Sequence, residues 1–410
     1  FRHEAAGIAA TRARLGIAAE GPPLAHAIRT LHTAHGGKVT VARVLRGTFS
    51  EGATVTGPSG AEDRIAGLSK FVGASLARSQ RAADGETAAF AKLERIATGD
   101  AFAEGKAAPA QPSPRRAVPP VHAVALDVKD RKDEVRVAAA IAKLADEDPG
   151  LVLLNDAEAG ELRLAGRGEM HLRVALERLD SRYGVSVGAR KPSVAYRESI
   201  RDPAHVRARH KKQTGGHGQF ADVVVDFRPL ARGEGFRFEE AVHGGAVPRQ
   251  YFSSVEAGVR DGLGKGPLGF PVVDLAATLV DGSHHPVDSS DMAFRAAGRL
   301  AVSEALVKAR PILLEPILAL DVHAPSETIS RASQIVSGRR GQILGFEPRE
   351  GWEGWDTLRA LVPESEMEGF VVELRSATAG VGDYSARFDH LAELVGKAAD
   401  AIVAHRRPAG

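Results

Sequence analysis

The sequence predicts a multidomain α+β protein with antiparallel sheets, and three observations carry that prediction. The 410 residues suffice for three or four ordinary domains, each with its own core. Short apolar runs broken by glycine turns come first. The order strand, helix, strand, strand, helix, strand then occurs twice, on either side of a stretch dominated by one long basic strand. In detail this is a small antiparallel β-barrel, two ferredoxin-like βαββαβ domains, and an α+β domain that carries a basic hairpin.

Taken in order, residues 1–21 are rich in Ala and Arg and read as a helical connector that stops before Gly21-Pro22-Pro23. Residues 22–107 hold the barrel, with runs such as Lys38-Val39-Thr40-Val41-Ala42-Arg43-Val44 between turns at Gly47 and Gly52. Residues 108–120 are a proline-rich linker. The first βαββαβ domain occupies 121–190. Its helices show apolar stripes at Val137, Ile141 and Leu144 and at Leu172, Leu176, Leu179 and Tyr183, with a hairpin through Gly160 between them.

Residues 191–312 form the domain with the basic hairpin, and Asp288 or Ser289 is placed to cap its last helix. The second βαββαβ domain runs from 313 to 395, with a helix capped by Ser326, a hairpin through Gly351 to Gly354, and a helix ended by Gly380. Residues 396–410 read as a C-terminal tail.

The most unusual stretch is His205 to Val225, HVRARHKKQTGGHGQFADVVV, with no acidic residue between Pro203 and Ala221. At period two, His205, Arg207, Arg209 and Lys211 share one face, which must be wet or bound to something anionic. The strand runs into Gln213-Thr214-Gly215-Gly216-His217-Gly218-Gln219, where glycines permit close backbone approach. One reading is a solvated loop; the other is a finger for a phosphate backbone.

Composition bounds the rest. With 54 basic and 52 acidic side chains the formal charge is +2, so only local clusters point to partners. Aromatics at 5% argue against base stacking as the main binding mode. The absence of cysteine excludes disulfides, zinc–thiolate sites and cysteine nucleophiles. No apolar run reaches membrane-span length and no signal-peptide core opens the chain, so a cytoplasmic protein is expected. The numbering opens on Phe1, and a piece of a longer protein is expected.

Catalytic and cofactor motifs fit poorly. The nearest approach to a P-loop, Gly258 to Lys265, has the wrong glycine spacing and ends in Gly266 where Ser or Thr is needed. Gly264-Lys265-Gly266-Pro267-Leu268-Gly269 matches G-x-G-x-x-G, but it follows a helix and precedes a strand, the reverse of a dinucleotide fingerprint. Glu169 and His171 lie two apart on a helix, which suits helix-start packing better than metal binding. His284 and His285, with Asp281 and Asp288 nearby, are the remaining candidates for a metal-dependent hydrolase; adjacent residues point in different directions, which disfavours it.

The string HKKQTGGHGQFADV, from His210 to Val223, resembles the signature of the fourth domain of bacterial elongation factor G, a translational GTPase. Further strings resemble the family's other domains: GKVTVARVLRGTFSEGATV the second, DEDPGLVLLNDAEAGELRLAGRGEMHLRVALERL the third, and RPILLEPI, SGRRGQI and LRSATAGVGDY the fifth. The resemblance spans residues 22 to 390 and implies domains two to five without the GTPase domain, the fourth having a ribosomal-protein-like fold.

It further implies a cytoplasmic, monomeric factor that binds the ribosome and acts in translocation of transfer RNA and messenger RNA. GTP and magnesium belong to the intact parent, and this chain alone is expected to be no enzyme and to hold no cofactor or metal. The implied tip residues are Lys211, Lys212, Gln213, Gly215, Gly216, His217, Gln219, His284 and His285, with Arg339 and Arg340 as a second contact to ribosomal RNA. Departures such as Val381, where the family usually has arginine, leave open a paralogue acting in ribosome recycling or protection.

Overall fold

The computed structural model describes residues 3–33, 37–72, 75–107, 109–111, 120–128, 131–157, 159–213 and 218–406. Two compact units result, Phe1–Ser193 and Val194–Gly410.

In the first unit, a helix, His3–Arg14, precedes an eight-stranded antiparallel sheet. The strands Leu24–Thr33 and Gly37–Arg46 form its longest pair. Phe49, Phe90 and Phe102 are fully buried and meet edge-on or tilted, with ring centroids 5.3–5.6 Å apart, which gives this small sheet a packed centre.

A second, four-stranded sheet follows in the order Val152–Asp156, Glu161–Gly166, His122–Asp127, Gly188–Arg190. The helices Arg131–Glu147 and Glu169–Tyr183 cover it with Val137, Ile141 and Leu144 and with Leu172, Ala175 and Leu179. Glu147 closes the unit: one carboxylate oxygen accepts from the His32 backbone N–H at 2.8 Å while both oxygens take the Arg182 guanidinium. Of the expected linker, residues 108 and 112–119 lie outside the described residues.

The second unit has two sheets. One runs Ala204–Lys212, Gln219–Pro229, Leu275–Ser283, Phe236–Glu240, the last pair parallel. Val206, Ala208, Val223, Val225 and Phe227 form its inner face, packed with the helices Phe252–Gly262 and Asp291–Lys308. Those helices cross backbone to backbone. A methyl group at Gly258 would overlap the Arg295 carbonyl, and one at Gly298 would lie 2.5 Å from the Val255 carbonyl oxygen.

The other sheet is built on the long strand Pro311–Pro325, flanked by Trp355–Pro363 and Asp383–Leu394, with Gln342–Pro348 outermost beside Trp355–Pro363. Its connectivity repeats that of the four-stranded sheet in the first unit.

Three local expectations need correction. The helix expected to be capped by Ser326 starts at Ile329, with Thr328 at the N-cap and its hydroxyl turned to the Pro325 carbonyl. Neither Asp288 nor Ser289 caps the helix Asp291–Lys308; Ser290 does, accepting from the Ala293 N–H, because its extended backbone aims the hydroxyl back at the first turn. The expected tail is a helix over Lys397–Arg406, whose Ala399, Ile402 and Val403 pack against Phe270, Leu313 and Leu394.

Candidate nucleic-acid interface

The basic strand Ala204–Lys212 alternates as its sequence demands, with Val206 and Ala208 buried and His205, Arg207, Arg209 and Lys211 exposed. Exposure does not leave all these charges available. Asp222, on the neighbouring strand, is fully buried beneath the guanidinium groups of Arg207 at 2.7 Å and Arg209 at 3.2 Å, and the Ser283 hydroxyl is its third donor residue. Burial alone would push its carboxyl up, but the bonds from Arg207, Arg209 and Ser283 outweigh that and hold it below the ordinary aspartate value. His205 is likewise taken up by Asp226 at 2.5 Å. Among the described residues, Lys211 and Lys212 have no carboxylate partner while Arg207 and Arg209 share the single charge of Asp222, so the strand's unpaired ammonium groups lie at its outer end.

That end is assembled from two segments. Lys211 lies opposite Phe220 and Lys212 opposite Gln219, whose side-chain oxygen meets the His210 ring at 2.9 Å. The loop after strand Leu275–Ser283 docks alongside. Asp288 accepts from the Gly218 N–H at 3.0 Å, its carbonyl accepts from the Phe220 N–H at 2.8 Å, and the Ser289 hydroxyl donates to the Phe220 carbonyl. A side chain at Gly218 would press on the Asp288 carboxylate, so glycine lets the two segments approach without displacing it.

His285 organises the loop. Its Nδ1 accepts from the backbone N–H groups of Val287 and Asp288 at 3.3 and 3.1 Å, and its ring lies 6.3 Å from that of Phe220. With Nδ1 occupied as an acceptor, the neutral ring carries its proton on Nε2.

Gln213, Lys211, Lys212, Gln219 and His285 are thus brought to one end of the sheet. Gly215, Gly216 and His217 lie outside the described residues. His284 turns away, its ring 3.4 Å from the Ala246 carbonyl. Among the described residues no group of three or more His, Asp or Glu side chains could hold a metal ion.

Arg339 and Arg340 also hold partners within their own unit. Arg339 binds Glu373 and the carbonyls of Glu366 and Glu368, while Arg340 forks onto the buried Glu315 at 2.7 and 2.9 Å and also reaches Glu366. Both thus form charge-assisted bonds to carboxylates of their own unit.

The G-x-G-x-x-G loop does cradle an anion, and the anion is Glu198. That carboxylate, 1% exposed, accepts from the Leu268 and Phe270 N–H groups at 3.0 and 2.7 Å. Gly266 leaves it room, since a methyl there would overlap Oε2. Burial pushes the Glu198 carboxyl up despite these bonds. His171 is similarly accounted for, accepting from the Arg167 N–H and pairing with Asp148 at 2.9 Å.

Asp222, Phe220 and Ser283 escaped the sequence reading, and Ser289 entered it only as a helix cap. A lone aspartate between Ala221 and Val223 carries no signal of the two arginines opposite, because register sets that pairing.

Comparison with known proteins covers most of the chain. Residues 118–191 match the family described as Elongation Factor G, domain III, residues 192–310 Elongation factor G, domain IV, and residues 312–402 Elongation factor G C-terminus. An "Elongation factor G-like protein" of Synechocystis sp. is 44% identical over 391 residues, 95% of this chain and 57% of that protein. A crystal structure of a Thermus thermophilus protein superposes with a TM-score of 0.77 at 37% identity, covering 96% of this chain and 58% of that one. The chain therefore spans a little under three-fifths of the length of each relative.

Proposed function

The chain belongs to the elongation factor G-like family, and we propose that it is the ribosome-binding portion of such a factor, with the end around Lys211, Lys212 and His285 acting beside transfer RNA and messenger RNA in translocation. Family membership gives a function of the translation elongation factor type. In this reading 22–107 is a barrel, 121–190 and 313–395 are ferredoxin-like domains, and 191–312 is the tip domain; the shared connectivity of two sheets supports the assignment. GTP and magnesium act in an upstream domain of the intact parent, and the factor works as a cytoplasmic monomer.

The observation that carries the proposal is the concentration of unpaired ammonium groups. Arg207 and Arg209 are both drawn onto the one carboxylate of Asp222, whereas Lys211 and Lys212 project without a carboxylate partner at the end where the loop of His285 is locked to the hairpin. A strand evolved only for solubility has no need to be bare at its outer end and paired along its length.

The test is binding to bacterial ribosomes across a salt series. Lys211→Ala with Lys212→Ala should lower the slope of log K against log salt by up to about two counterions. An unchanged slope removes these lysines from the interface. A paralogue acting in recycling or protection is the second reading, motivated by Val381 at a position where the family usually has arginine. In the full-length factor, transfer-RNA movement without subunit splitting favours the first reading, and the reverse favours the second.

A further inference from the structure

The outermost strand of the last sheet, Gln342–Pro348, is paired on one side only among the described residues. A bulge between Ile343 and Gly345 interrupts its register with Trp355–Pro363, and its Leu344 and Phe346 are 57% and 55% exposed, apolar side chains of the kind that invite pairing by other chains at a sheet edge. The hairpin that follows holds Trp352 and Trp355, with ring centroids 5.1 Å apart, and the Arg349 guanidinium 4.2 Å from the Trp352 ring centre. Gly351 and Gly354, with φ of 72° and 74°, make the turn that presents this aromatic corner.

The surroundings are acidic. Glu347, Glu350, Glu353 and Asp356 lie on the strand end and turn, against two guanidinium groups, of which Arg359 is bound to Glu347 at 2.6 Å. Glu350 and Glu353 are exposed. This charge repels a phosphate backbone and attracts Lys or Arg.

We propose that this edge is a docking site for an extended, basic protein segment that adds as a strand to Gln342–Pro348. Its apolar side chains lie on Leu344 and Phe346, and its cations face Glu350 and Glu353. The proposal is independent of the role assigned to the basic tip, which sits on another sheet.

Because Trp352 and Trp355 are the chain's two tryptophans, emission excited at wavelengths beyond tyrosine absorption reports on this site. The full chain is titrated at low salt with an end-capped (Lys-Val)4 peptide, with (Glu-Val)4, and with poly(U). A saturable emission change with the basic peptide only is expected. Leu344→Lys with Phe346→Lys, and separately Glu350→Lys with Glu353→Lys, should each weaken it by at least about tenfold, with far-UV circular dichroism unchanged. The second pair alters only exposed turn residues, so its result stands if the first variant misfolds. No saturable change, an equal response to the acidic peptide, a response to poly(U), or undiminished binding by the turn variant would each overturn the proposal.

Discussion

Replacing Asp222 by Asn should weaken the fold and strengthen RNA binding at once. The substitution keeps the shape and removes the charge on which Arg207, at 2.7 Å, and Arg209, at 3.2 Å, converge. Breaking one side of a fully buried ion pair costs about 3–5 kcal/mol. Here Asp222 is buried but both guanidinium groups are 57% exposed, so solvent screening reduces the expected loss to about 2 kcal/mol.

The Asp222 carboxyl is held below its ordinary value, so its contribution is complete above that value, near pH 4. It is lost as pH falls through the depressed one, so the gap between wild type and variant should close on acidification. Freed of Asp222, the two arginines become available to phosphates. On poly(U) the salt slope should steepen by up to about 1.4, taking about 0.7 per added contact on a single strand. Urea unfolding at pH 7 and at pH 3, with a salt series on poly(U), measures both effects. Unchanged stability at pH 7, or a slope that stays equal or becomes shallower, would refute the reasoning.

Other expectations follow from the same geometry. His285→Ala should cost about 1 kcal/mol, the worth of its bonds to the Val287 and Asp288 N–H groups, and in the full-length factor should slow transfer-RNA movement while sparing GTP turnover. A normal movement rate with a lowered melting temperature would make it purely a loop organiser. Gly258→Ala should destabilise by about 1–3 kcal/mol through overpacking against Arg295, whereas Gly7→Ala, with nothing within 4 Å, should stabilise by up to about 1 kcal/mol; urea midpoints decide. Glu198→Gln turns an amide N–H toward either the Leu268 or the Phe270 N–H, and a drop in melting temperature at pH 7 is expected. Calorimetry with GTP and magnesium should show no micromolar binding by this chain, since no phosphate-cradling P-loop occurs in it.

Local pattern was readable where the chain itself imposes it. The alternation HVRARHKK predicts the strand and its exposed face, and apolar stripes at helical spacing predict the helices on the sheets. What could not be read are pairings across long sequence distances. Glu198 fills a loop that begins more than sixty residues later, and Arg340 reaches back to Glu315 across a strand and a helix. Each looks in sequence like a free charge or an empty anion cradle. The corrected caps share a cause: several hydroxyl or carboxylate residues in a row leave the choice to backbone angles, which settled on Ser290 and released Asp288 to hold Gly218.

The contact between the helices Phe252–Gly262 and Asp291–Lys308 has a mechanical consequence. Where Gly258 and Gly298 let carbonyl oxygens meet the opposite backbone, no layer of side chains stands between the two helices. Side chains yield under load by changing rotamer, but peptide planes scarcely yield at all. The second of these helices is capped by Ser290, directly behind the loop of His285, so a push on that loop enters a strut with little give at its crossing. Displacement applied at the outer end is delivered to the body of the unit with little lost to compression.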